Sequence, residues 1–314
     1  MPRMPQHPQI IVLGSLNADL VQSVARLPRP GETLTGGNLQ IFPGGKGGNQ
    51  ACAAARMGAR VAMVAQVGSD NLASMLLESL RAAGVDTHHV GVSGESTGAA
   101  SILVLPNGEN TIVISPGANA TLTPETALPR LAQLGPGSLL LCQLEVPLET
   151  VKNALAHARA RGARTVLDPA PARSLGQGLL KTVSFLTPNE TEASVLLNQP
   201  ESSLDSISNA KNAAAGLTRL GAEAVVLKLG ARGCVVGAGK EIQHVPGFAV
   251  HAVDTTAAGD TFNGAFACAL SEGSSPFEAA RFANAAGALS VTRHGAQTSI
   301  PTREEVEAFL AKAR

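Results

Sequence analysis

Tryptophan and tyrosine are absent from this chain, and eight phenylalanines supply its whole 3% of aromatic residues. So few ring faces exclude the stacking platforms of single-stranded nucleic-acid binders and leave the core to aliphatic side chains. An excess of charge of one sign is also missing. Lys+Arg and Asp+Glu number 24 each, for a formal net charge of zero, so the basic surplus of a nucleic-acid or anionic-membrane binder is lacking. Neither partner is expected.

Cysteine is scarce: Cys52, Cys142, Cys234 and Cys268 stand far apart, with no C-x-x-C and no Cys/His cluster at zinc spacing. They read as buried thiols of a reducing compartment. No apolar run approaches the ~18 residues of a membrane span. The opening MPRMPQHPQI is polar and Pro-rich, without the apolar segment of a secretory signal. These features predict a soluble cytoplasmic protein, with residues 1–8 a flexible extension before one α/β domain over 9–314. The content of 44% hydrophobic and 15% charged residues is globular.

What is present alternates. Short β-branched runs predict strands at 10–13, 60–67, 138–143, 164–168, 184–187 and 224–228. Between and after them, Ala/Leu-rich stretches predict helices at 49–57, 71–83, 148–160, 206–220, 259–270 and 276–292. The alternation implies a Rossmann-like, mostly parallel central sheet with helices on both faces. Two stretches break the rhythm, 27–43 and 97–114, with short alternating runs around Pro-Gly and Asn-Gly turns. They predict antiparallel strands outside the main sheet: a small β-sheet lid built from segments about 20–43 and 97–114.

Ligands of open α/β sheets bind beyond the carboxyl ends of the strands, and polar residues gather there. Asn17 and Asp19 follow the first strand; Glu145, Asp168, Asn189, Glu190 and Glu192, then Gly230 and Gly233, follow later ones. Singly, each reads equally well as a turn former, a cap or a solvated helix residue. The run Pro43-Gly-Gly-Lys-Gly-Gly-Asn-Gln50 opens a helix but is neither a Walker A loop nor a dinucleotide fingerprint. Alone it fits a flexible connection as well as a ligand loop.

Asp254-Thr-Thr-Ala-Ala-Gly-Asp260-Thr-Phe-Asn-Gly-Ala265 is the most informative stretch. Small residues leading into a helix leave N–H groups converging on one spot, where the positive helix end adds to their attraction for a phosphate. Asp260 at the helix start is placed to accept a proton from an attacking hydroxyl. The helix end is expected to lower its pKa and keep it ionised at neutral pH.

The order and spacing of these motifs resemble the phosphofructokinase-B (ribokinase) superfamily of carbohydrate kinases over nearly the whole chain. The matching segments are GSLNADL at 14–20, PGET at 30–33, GGKGGNQ at 44–50, GESTG at 94–98, QLE at 143–145 and DPAPAR at 168–173. TPNETEA at 187–193, DTTAAGDTFNGA at 254–265 and TRHGAQTSIP at 292–301 complete the set. The resemblance implies ATP-dependent phosphorylation of the 5-hydroxyl of D-ribose and a lid that also forms a homodimer contact. It makes Asp260 the catalytic base and Ala257, Ala258 and Gly259 the anion hole for the γ-phosphate. Asn17, Asp19, Gly45, Lys46, Asn49 and Glu145 match sugar-holding positions. Asn189 and Glu192 match an N-x-x-E motif that organises Mg²⁺ and the phosphates, mostly through water. Lys228, Gly230, Gly233 and Gly259 match nucleotide-contacting positions, with Asn284 near the adenine. A potassium activator would sit among Asp254, Thr256, Ser290, Arg293, Gly295 and Ser299.

Two of these positions depart from the usual pattern: Asn284 replaces a frequent His, and Lys228 a small hydroxyl residue. Rival readings are a sister kinase for 2-deoxyribose, a ketohexose or a nucleoside, and a non-catalytic sugar or nucleotide sensor. A nucleoside needs a surface for its base, which Phe42 alone near the lid supplies poorly. A sensor would be expected to have lost Asp260. A nicotinamide oxidoreductase lacks its fingerprint.

Overall fold

The computed structural model describes residues 9–313; the extension expected at 1–8 lies outside them. The strands are β1 (Ile10–Leu13), β2 (Asn17–Ser23), β3 (Gln40–Gly44), β4 (Val61–Val67), β5 (Val90–Val92), β6 (Gly98–Val104), β7 (Asn110–Ser115) and β8 (Leu139–Cys142). They continue with β9 (Arg164–Leu167), β10 (Phe185–Leu186), β11 (Ala224–Lys228), β12 (Cys234–Ala238) and β13 (Glu241–Val245). The helices are α1 (Lys46–Arg56), α2 (Asn71–Ala82), α3 (Pro124–Ala127), α4 (Leu148–Ala160), α5 (Gln177–Leu180), α6 (Glu190–Leu197), α7 (Ile207–Arg219), α8 (Ala258–Ser271), α9 (Pro276–Ser290) and α10 (Arg303–Lys312).

Nine strands form one sheet in the order β13-β12-β11-β10-β9-β8-β1-β4-β5. The central strands are unbroken apolar runs because both faces are covered. Along β1, Ile10 and Val12 enter one core with residues of α1, α2, α8 and α9, while Ile11 and Leu13 enter the other with residues of α4 and α7. All strands pair parallel except β12 and β13, which fold back antiparallel beside β11. That hairpin was not expected, nor were α6 and α10.

The second sheet has the order β3-β2-β6-β7. The small sheet is as expected, but its pairing is not wholly antiparallel: β2 runs parallel to β6, with Asn17 opposite Gly98. The two strands come from separate crossovers, so no hairpin joins them. The sheet spans 17–23, 40–44, 98–104 and 110–115, and residues 27–39 hold no strand. Asn17 and Asp19, expected in the turn after the first strand, therefore lie inside β2. Helix α1 starts at Lys46, three residues before the expected Asn49. No helix of the described residues is long and apolar enough to cross a membrane.

Candidate active site

The site forms where the start of α1, the start of α8 and the inner end of the small sheet meet above the carboxyl ends of β1, β8, β9 and β11. The glycine-rich run is not slack. Gly45 caps α1 with φ 84, a left-handed conformation, and a Cβ on Gly44 would come within 2.2 Å of an Asp19 oxygen. Close approach of β3 to the Asp19 carboxylate therefore demands a bare backbone.

Asp260 is the third residue of α8 and is buried, with both carboxylate oxygens held. Asn49 Nδ2 donates to Oδ2 at 3.0 Å and Gln50 Nε2 to Oδ1 at 2.9 Å. Burial pushes the Asp260 carboxyl above the usual carboxylate range, opposed first by Lys46 and then by the Gln50 and Asn49 bonds. The expected lowering by the helix end is thus overturned by desolvation. Lys46 is in turn held well above the ordinary lysine range, chiefly by Asp260 and also by Asp168, Glu145 and Glu192.

The six expected sugar positions come together around this pair. Asn17 is oriented by Asn119, whose Nδ2 donates to Asn17 Oδ1 at 2.7 Å while also bridging the Leu16 backbone. Glu145 Oε2 accepts from Ser15 Oγ at 2.5 Å and from the Lys46 amide at 3.1 Å. Asp19 is pushed up to about 7, first by burial and then by Glu145 and Asp260. Asn49 Oδ1 is buried with no partner among the described residues, leaving an acceptor for a ligand hydroxyl. Sequence reasoning did not single out Ser15, Gln50 or Asn119; a serine, glutamine or asparagine carries no spacing signal until the fold supplies its neighbour.

The expected anion hole lies at the start of α8. Ala257 caps α8 in the left-handed region, φ 57, without side-chain help. The N–H groups of Ala257, Gly259 and Asp260 have no partner among the described residues, whereas that of Ala258 is turned to Thr255 O at 3.2 Å. A cleft of about 630 Å³ runs to this helix start, lined by Lys228, Gly230, Gly233, Asn284 and Gly259, with Phe248 among its apolar residues. The apolar wall at 247–252 was not anticipated. Asn284 is buried and donates to the carbonyls of Val245 and Pro246. Lys228 Nζ is paired with Asp168 Oδ1 at 3.0 Å.

The N-x-x-E motif is also a capping box: Asn189 Oδ1 accepts from the Glu192 amide at 2.8 Å and Glu192 Oε2 from the Asn189 amide at 2.7 Å. Burial raises the Glu192 carboxyl, with Asp168 adding and Lys228 opposing. A buried carboxylate with one oxygen uncommitted suits a hydrated cation beside a phosphate. Among the described residues no three acidic, His or Cys groups converge to cage a metal by themselves.

In the loop before α8, Asp254 ties two segments together, Oδ1 accepting from the Thr256 amide and Oδ2 from the Gly295 amide, both at 2.9 Å. Ser290 and Ser299 spend their hydroxyls on the Gly287 and Ala296 carbonyls, and the Arg293 guanidinium is drawn off to Glu305. With side chains so engaged and the guanidinium turned away, backbone oxygens are the donors this knot offers a monovalent cation.

A family model described as pfkB family carbohydrate kinase matches residues 7–303. The chain is 47% identical to a ribokinase of Haemophilus influenzae, over 97% of this chain and 99% of that one. It is 36% identical to a deoxyribokinase of Salmonella typhimurium, over 96% and 98%. A structure of Arabidopsis thaliana ribokinase complexed with ribose and ATP superposes with TM-score 0.90 at 34% identity, covering 97% of this chain and 99% of that one. Likeness over nearly the whole chain is a property of the whole fold, and the chain belongs to the pfkB family of carbohydrate kinases.

Proposed function

We propose that the protein transfers the γ-phosphoryl group of ATP to the 5-hydroxyl of D-ribose, giving D-ribose 5-phosphate and ADP. The observation that carries this reading is the abutment of two half-sites at α8. The nucleotide-sized cleft ends at Gly259, and one residue on, Asp260 faces a ring of hydroxyl-binding groups with an unused acceptor at Asn49 Oδ1. The likeness to relatives named ribokinase supplies the sugar.

The 5-hydroxyl gives its proton to Asp260 as the new O–P bond forms and the bond from Pγ to the β,γ-bridging oxygen breaks. A carboxylate raised by burial is the stronger base, and Lys46 keeps it charged. The N–H groups of Ala257 and Gly259, at the positive end of α8, face the negative charge of the transferring group. Asn17, Asp19, Lys46, Asn49 and Glu145 fix the sugar, and closure of the small sheet excludes water as a competing acceptor.

Magnesium would be held by Glu192, with Asn189, mostly through water, and supplies neutralisation of phosphate charge. Potassium would be held by backbone oxygens around Thr256, Ser290, Arg293, Gly295 and Ser299, with Asp254 as counter-charge. The small sheet exposes Ile41 and Val113 on one face and Ile112 and Ile114 on the other, and pairing two copies through it would cover apolar surface and the open edge in a homodimer. Four buried free thiols fit the reducing cytoplasm.

The test is ADP release with Mg-ATP and D-ribose against 2-deoxyribose, fructose and adenosine, with and without potassium. Ribose-dependent turnover stimulated by potassium is the expected result. Faster turnover of 2-deoxyribose overturns the substrate assignment, and no turnover with any sugar makes the protein a sensor.

A further inference from the structure

We propose that Gln50 is a positioning residue for phosphoryl transfer: its amide, locked by Gln143, holds Asp260 toward the sugar and ties it to the Lys228–Asp168 ion pair on the floor of the nucleotide cleft. The inference rests on the kinase reading above and adds to it a buried chain running from one substrate site to the other.

Gln50 is fully buried on the second turn of α1. Its Nε2 donates to Asp168 Oδ2 at 2.8 Å and to Asp260 Oδ1 at 2.9 Å, and its Oε1 accepts from Gln143 Nε2 at 2.6 Å. Both hydrogens of the amide are spent on carboxylates. The flipped amide would set a carbonyl against two carboxylates and an NH₂ against an NH₂, so one orientation survives. Gln143 meets a cost for this duty, since its own Oε1 is buried without a partner among the described residues.

The chemistry explains the residue type. Asp168 and Asp260 share one amide group as two acids, and a neutral donor holds them together without stripping Asp260 of its basicity, as a guanidinium in the same place would. The far oxygen of Asp168 is paired at 3.0 Å with Lys228, which lines the nucleotide cleft. The groups acting on Asp260 are thus Lys46 from α1, Asp168 beyond β9 and Asp19 from β2, with Lys228 one bond further out. Asn49 holds the other oxygen of Asp260, so loss of Gln50 frees the carboxylate to pivot about a single bond.

The tests are Gln50→Met, of similar length without the amide, and Gln143→Met, which removes only the donor to Gln50 Oε1 and loosens the amide. In the wild type and each variant, kcat and KM are measured against pH. The Asp260 carboxyl is titrated by ¹³C NMR in the free protein, its resonance identified by loss in Asp260→Asn. Misplacement of the base predicts a kcat loss of about ten- to a hundredfold for Gln50→Met with sugar KM within about threefold. It also predicts an Asp260 midpoint raised by about one pH unit, and Gln143→Met falling between Gln50→Met and wild type. A kcat within twofold of wild type with an unmoved midpoint, in whichever variant folds, overturns the proposal. The titration needs no substrate, so a wild type that ignores ribose refutes the substrate reading separately.

Discussion

Asn49 donates to Asp260 Oδ2 at 3.0 Å while its own carbonyl oxygen, buried, has no partner among the described residues. On the proposed reading, one amide steadies the base with one end and offers an acceptor to the sugar with the other. Its position on the first turn of α1 places the glycine-rich run beside Asp260.

Asp260→Asn keeps the shape of that corner and removes its proton acceptor. The expected outcome is a fall in kcat of roughly a thousandfold, with ATP affinity preserved by calorimetry. A residual rate within tenfold of wild type shows that Asp260 is not the base.

Asp19 makes a prediction in two parts. Its folded pKa of about 7 lies above the unfolded value of 3.8, so the native state holds the proton more tightly. The destabilisation is absent below about pH 4, grows as pH rises and is complete above 7. Asp19→Asn should therefore raise the melting temperature at pH 8 more than at pH 4. Asp19→Ala should raise the sugar KM about ten- to a hundredfold, the worth of a hydrogen bond to a charged group. Equal melting shifts at both pH values, or an unchanged KM, contradict these assignments in turn.

Gly44→Ala puts a methyl group within 2.2 Å of an Asp19 oxygen. The carboxylate or the strand must move, at a cost of about 1–3 kcal/mol. Denaturant melts should show that loss together with a raised sugar KM, whereas a wild-type KM would mean that Asp19 can shift without consequence.

Val113 is 64% exposed on β7, in the middle of an apolar row. If the proposed homodimer forms through the small sheet, Val113→Glu should halve the mass measured by analytical ultracentrifugation, since a charge would replace an apolar contact. An unchanged dimer mass would place the interface elsewhere.

Strands β1, β4 and β8 to β11 of the large sheet were legible because each is a largely apolar run buried on both faces, and β11 and α4 have the expected bounds. The β12–β13 hairpin was not, since its outer strand mixes Glu241, Gln243 and His244 with apolar residues at the sheet edge. The parallel register of β2 on β6 depends on contacts 81 residues apart (Asn17 to Gly98) and leaves no local trace. At the site, motif order named Asp260, the residues that gather around it and the glycines that line the cleft. The Asp260 pKa was misread because a helix end is visible in sequence and desolvation is not. Gln50 stood inside a quoted motif, but its role depends on Asp168 and Gln143, which arrive from other strands.

Strand β2 leaves the main body at Asn17 and travels outward as a single arm. At about 3.3 Å per residue, Asp19 lies roughly 7 Å and Ser23 roughly 20 Å beyond that departure point. Asn17 is clamped from the body by Asn119, which makes it the fulcrum. Any swing of the arm is therefore graded: Asn17 stays still, Asp19 shifts a little, and the outer edge sweeps widely. On the proposed reading, the sugar is gauged at the stationary end of a lever and the site is shut by its moving end.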